Sequence, residues 1–69
     1  MDDETMALFH ELDSSIFAYR WAVDRYPLDD PEIGRAKERY SEAFSKVSER
    51  GLLCSFLAWR TREARLRGV

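Results

Sequence analysis

Among its 69 residues the sequence has one cysteine, Cys54, and one histidine, His10. A lone cysteine excludes a disulfide within the chain, and two such ligands cannot fill a tetrahedral zinc site. The usual staples of very small domains are therefore missing. Long apolar runs are missing too. None approaches the ~20 residues that span a bilayer, and no membrane partner is expected. The chain opens on Met1-Asp2-Asp3-Glu4, acidic where a secretory signal is basic. With a single cysteine, compatible with a reducing compartment, this predicts a cytoplasmic protein. No catalytic, nucleotide-binding or metal-binding motif occurs, so neither enzyme activity nor a cofactor is expected.

What is present is helix-forming material. Hydrophobic residues make up 45% and charged residues 35% of the chain, a balance that folds. Residues 1–69 form a single domain, near the lower size limit for one hydrophobic core. Phe9, Leu12, Ile16, Tyr19, Val23 and Tyr26 recur at spacings of 3, 4, 3, 4 and 3. That is the seam of a helix packed along another, and it predicts helix 1 over about 3–26. Asp2 or Asp3 can cap its start, with Glu4 favourable at the positive end of the helix dipole. The residue before Pro27 is pushed out of the helical region.

The segment Tyr26-Pro27-Leu28-Asp29-Asp30-Pro31 reads as the turn of a helical hairpin, with residues 27–30 outside both arms. If Asp29 is the cap, Glu32 completes a capping box and Leu28 and Ile33 form a hydrophobic staple. If Asp30 is the cap, Pro31 takes the favoured first helical position. Ile33, Ala36, Tyr40, Ala43, Phe44 and Val47 then share one face of the second helix, with charged residues opposite.

Gly51 marks either a kink or a stop. No loop, proline or Asx cap follows it, which favours one continuous helix over about 31–66, kinked at 51. The expected fold is therefore all-α, an antiparallel hairpin with a long second helix. Helix 1, at 1.5 Å per residue, is about 35 Å long, and the second arm exceeds roughly 50 Å. The excess is Leu52–Trp59, apolar on every side, and a helix of that kind is a buried one. A second aromatic patch on helix 1, Met6, His10, Phe17 and Trp21, lies away from the seam. Both observations predict a homodimer closing into a four-helix bundle, with Phe17, Trp21, Leu53, Phe56, Leu57 and Trp59 at the partner surface. The alternative is a monomeric three-helix bundle with a break at Gly51.

Charge is distributed unevenly. Residues 1–45 carry 11 acids and 5 bases, and residues 46–69 carry 2 acids and 6 bases. Such asymmetry fits a charged partner or two copies packed head to tail. Arg60, Arg62, Arg65 and Arg67 suit the negative end of a helix dipole, and beside Trp59 they form a possible phosphate or RNA clamp. A DNA-reading helix-turn-helix over 47–60 is disfavoured, because Arg50 and Arg60 fall where that motif needs apolar residues. His10 reads as a surface or interface histidine and Cys54 as a buried structural thiol. The function expected is a small non-enzymatic protein–protein interaction module: a regulator, adaptor or inhibitor of a larger protein. The alternative is a small nucleic-acid-binding regulator using the arginine-rich end.

Overall fold

The computed structural model describes residues 2–67. It is all-helical, with α1 (Asp3–Arg25), α2 (Pro31–Glu49) and α3 (Leu53–Leu66) in that order. Asp2 caps α1, its carboxylate accepting a 2.7 Å hydrogen bond from the Thr5 backbone N–H. Hydrogen bonding from Thr5 holds the Asp2 carboxyl below its usual pKa. This cap is therefore complete above the ordinary carboxylate range and is lost as pH falls through the lowered value. At its other end α1 stops at Arg25, and Tyr26 is extended ahead of Pro27.

Asp30 is the residue that caps α2. Its side chain accepts from Glu32 N at 2.9 Å, and Pro31 occupies the first turn. Asp30 N in turn donates to the Pro27 carbonyl at 2.9 Å, closing the turn. Leu28 is 84% exposed, so the staple to Ile33 is not made; it belongs to the version of the turn capped by Asp29. Asp30→Ala is expected to lower unfolding free energy by about 1 kcal/mol, while Asp29→Ala stays within about 0.5 kcal/mol. Thermal melts of the two variants distinguish the caps.

The continuous second helix expected over 31–66 is not formed. After Arg50, Gly51 adopts φ +68°, in the left-handed region that suits glycine. Gly51 N donates to Ser48 O at 2.9 Å and Leu52 N to Val47 O at 3.1 Å. This is the paired pattern of a Schellman motif, with Leu52 packed against the core cluster that contains Val47. A reversal of this kind needs no loop: one residue changes hand and the next begins a new helix. Although α3 has no side-chain cap, a deficit of about 1 kcal/mol, folding it back buries Phe56 and Trp59. Each such side chain contributes roughly 1.5–3 kcal/mol.

The core is accordingly closed within one chain. Phe9, Leu12, Ala43, Val47, Phe56 and Trp59 form its buried cluster. Phe9 sits between the α3 aromatics, with ring centroids 5.5 Å from Phe56 and 5.6 Å from Trp59. Trp59 also stands edge-on to His10 at 5.0 Å, while its buried indole N–H has no acceptor among the described residues.

Small residues set how α1 and α2 meet. Ser15 and Ala22 on α1, and Ala43 on α2, are buried, with Ala36 half-buried. On each helix the pair is seven residues apart, two turns along one face. The Ser15 hydroxyl donates to the Leu12 carbonyl at 2.7 Å, so it is satisfied within its own helix. Interaxial distance follows the side chains at the contact, and small ones there bring the axes together. The larger neighbours Ile16, Tyr19, Tyr40 and Phe44 are displaced to the flank, where none is fully buried.

The charge asymmetry also finds an intramolecular account. Acids of α1 meet bases from residues 46–69 in three cross-helix ion pairs: Glu4 with Arg50, Glu11 with Lys46 at 3.7 Å, and Asp13 with Arg60 at 3.2 Å. All are at least partly exposed, so each contributes about 0–1 kcal/mol. Their main effect is to match unlike ends within the chain.

Candidate functional site

The six side chains expected at a partner surface fall into three places. Phe56 and Trp59 lie in the chain's own core, because α3 folds back rather than projecting. Phe17, 73% exposed, and Trp21 lie on the outer side of α1. There they line a hollow with Arg20, Asp24 and Arg60. The Arg25 guanidinium lies 4.7 Å over the Trp21 ring, and Tyr26 meets that ring edge-on. Leu53 and Leu57 face a different hollow, and Leu57 is 59% exposed.

That second hollow has two adjoining parts. One part lies between all three helices and is walled by Ile16, Tyr40, Phe44, Leu53 and Leu57. An adjoining part between α1 and α2 shares Ile16 and Tyr40 with it and adds Tyr19. Together they make one groove. Its aromatic wall is ordered: Tyr19 meets Tyr40 edge-on at 5.8 Å, and Tyr40 stacks on Phe44 at 6.0 Å with the rings 13° apart. Among the described residues three cations line it, Arg20 and Lys37 in one part and Arg60 in the other, and no carboxylate does.

Ile16, Tyr19, Tyr40 and Phe44 were expected in the hairpin core and are instead the floor and wall of this groove. Their regular spacing identifies them as one stripe, but it does not say which edge of the stripe faces the neighbouring helix. The pairs Ser15/Ala22 and Ala36/Ala43 carry that information. Small residues at a seven-residue interval form the more buried edge of the stripe on both arms.

The arginines of α3 do not form one stripe. Arg60 and Arg67 line a hollow together with Asp13 and Glu63. Arg62 and Arg65 lie about 160° and 220° around the helix from Arg60, at 100° per residue. Nor do the residues with reactive side chains assemble. Cys54, expected to be buried, is exposed in the first turn of α3. His10 is exposed and contacts the Trp59 ring. The Ser15 and Thr61 hydroxyls donate to carbonyls of their own helices. Among the described residues no three His, Cys, Asp or Glu side chains group as metal ligands, and no helix is long and apolar enough to cross a membrane.

Compared with protein-family models, curated proteins and solved structures, the chain matches none.

Proposed function

We propose that this chain is a small non-enzymatic interaction module, a regulator, adaptor or inhibitor that acts by docking on a larger protein. The observation that carries the reading is the apolar groove of Ile16, Tyr19, Tyr40, Phe44, Leu53 and Leu57, left open by a chain whose own core is already closed. Surplus apolar surface of this kind, rimmed by polar residues, marks interaction sites. Helical grooves receive partners through a few large anchors. The scattered placement of His10, Cys54 and the hydroxyls supports a role without chemistry, since nucleophilic catalysis needs a base within hydrogen-bond reach of the nucleophile.

Dimerisation through α3 loses its original motive once Phe56 and Trp59 are inside. A second copy remains a competing occupant of the groove. Nucleic-acid binding through Arg60, Arg62, Arg65 and Arg67 draws less support, because the four diverge around α3 and Arg60 is paired with Asp13.

The test is Leu57→Glu. Leu57 is mostly exposed, so the variant is expected to keep the helical circular dichroism and a stability within about 0.5 kcal/mol of the parent. It is also expected to lose the partner that the parent retains in affinity capture, with sedimentation run alongside to report self-association. Identical captured proteins and identical sedimentation for the two would contradict the proposal.

A further inference from the structure

Resting on that reading of the groove, we infer that its occupant is an acidic amphipathic helix of a partner protein, about two turns of which lie between α1, α2 and α3. Length comes first. From Lys37 to Phe44 on α2 and from Leu53 to Arg60 on α3 the groove walls run about 10 Å each, at 1.5 Å per residue. Two helical turns match that distance, presenting apolar anchors at i, i+4 and i+7. The described residues are all-helical and offer no sheet edge for strand addition, whereas a fourth helix laid between three completes a bundle.

Charge selects the kind of helix. Among the described residues Arg20, Lys37 and Arg60 line the groove and no Asp or Glu does. Arg20 and Lys37 are exposed and form no ion pair among the described residues. Arg60 gives its Nε to Asp13. An incoming helix with carboxylates flanking its apolar stripe meets these cations, and a basic one is repelled.

This chain does not itself supply such a helix. On α1 the acids Glu4, Glu11 and Asp13 are already paired with Arg50, Lys46 and Arg60, which leaves Asp3 and Asp24 at opposite ends of the helix rather than along one apolar stripe. On α2 the acidic stripe Glu38, Glu42 and Glu49 has only Ser45 between its members and offers no apolar anchor. The exposed pair Phe17 and Trp21 has Asp24 beside it but also Arg20, Arg25 and Arg60, so the surroundings of that pair are net basic.

Two synthetic helix-stabilised peptides test the inference by fluorescence polarisation on the intact chain. Both carry leucine or phenylalanine at i, i+4 and i+7; one has glutamates and the other lysines on its flanks. The acidic peptide is expected to bind in the micromolar range and the basic one roughly ten-fold more weakly or not at all. The double variant Arg20→Glu with Lys37→Glu, at two exposed positions, should reverse that order, and Leu57→Glu should abolish binding of the acidic peptide. Equal binding of both peptides, or an acidic-peptide affinity unchanged in the double variant, overturns the acidic occupant and leaves the interaction reading standing. Failure of both peptides with self-association lost in Leu57→Glu makes a second copy the occupant, and again overturns only this inference. Failure of both peptides in a chain that stays monomeric, with no Leu57-dependent partner, removes both.

Discussion

Phe9→Ala is expected to lower unfolding free energy by about 3–5 kcal/mol, the largest effect of any single truncation in this chain. Phe9 is fully buried, and its ring is the point where α1 meets both Phe56 and Trp59. Removing it deletes one aromatic and leaves two others facing a cavity. A single small core rarely supplies more than about 3–5 kcal/mol in total, so the variant should be largely unfolded at room temperature. Circular dichroism and urea titration measure this directly. A control at Phe17, the most exposed aromatic of α1, should stay within about 0.5 kcal/mol of the parent.

Gly51→Ala gives the second large effect, and its sign is the informative part. With φ at +68° and open space around the missing Cβ, the penalty comes from the backbone alone. A non-glycine residue in the left-handed region loses about 1–2 kcal/mol, a drop in melting temperature of roughly 4–8 °C per kcal/mol for a domain of this size. Gly51→Asn should recover part of it, since asparagine tolerates that conformation. Were Gly51 inside a continuous helix, alanine would instead stabilise by about 1 kcal/mol. Destabilisation by alanine with partial rescue by asparagine is the expected result.

Much of the fold was legible because local chemistry decides it. A cap at Asp2 or Asp3, a cap at Asp29 or Asp30, Pro27 as the end of α1 and Pro31 near the start of α2 all act within one turn of chain, and the structure selects Asp2 and Asp30. Gly51 was ambiguous for a physical reason. A Schellman ending is completed by backbone groups and by the contact of Leu52 with the core, and neither shows as a capping side chain. What selects the break over a kink is the burial of Phe56 and Trp59 against Phe9, more than 40 residues away in the chain. The apolar run Leu52–Trp59 did signal that something must cover it; the cover is the chain itself.

The interaction surface was less legible, because it depends on which side of a stripe turns inward. Phe17, Leu53 and Leu57 were picked out as surplus apolar residues and lie wholly or partly exposed. Helical spacing places Ile16, Tyr19, Tyr40 and Phe44 in the core, where large residues at that spacing usually lie. The small residues at 15, 22, 36 and 43 shift the α1–α2 contact by a fraction of a turn and leave these four on the flank. A surface argument from spacing alone misses that rotation.

The fold-back of α3 over α1 both closes the core and shapes the groove. The most direct measurement is a nuclear Overhauser spectrum between the Phe9 ring and the Trp59 indole, with mixed isotope labelling to separate contacts within a chain from contacts between chains. The ring centroids are 5.6 Å apart, so strong intramolecular cross-peaks are expected, accompanied by Phe9–Phe56 peaks. A continuous second helix would carry Trp59 roughly 15–20 Å further along the axis from Phe9. Absence of these peaks, or their appearance only between differently labelled chains, would contradict the fold-back and the groove with it.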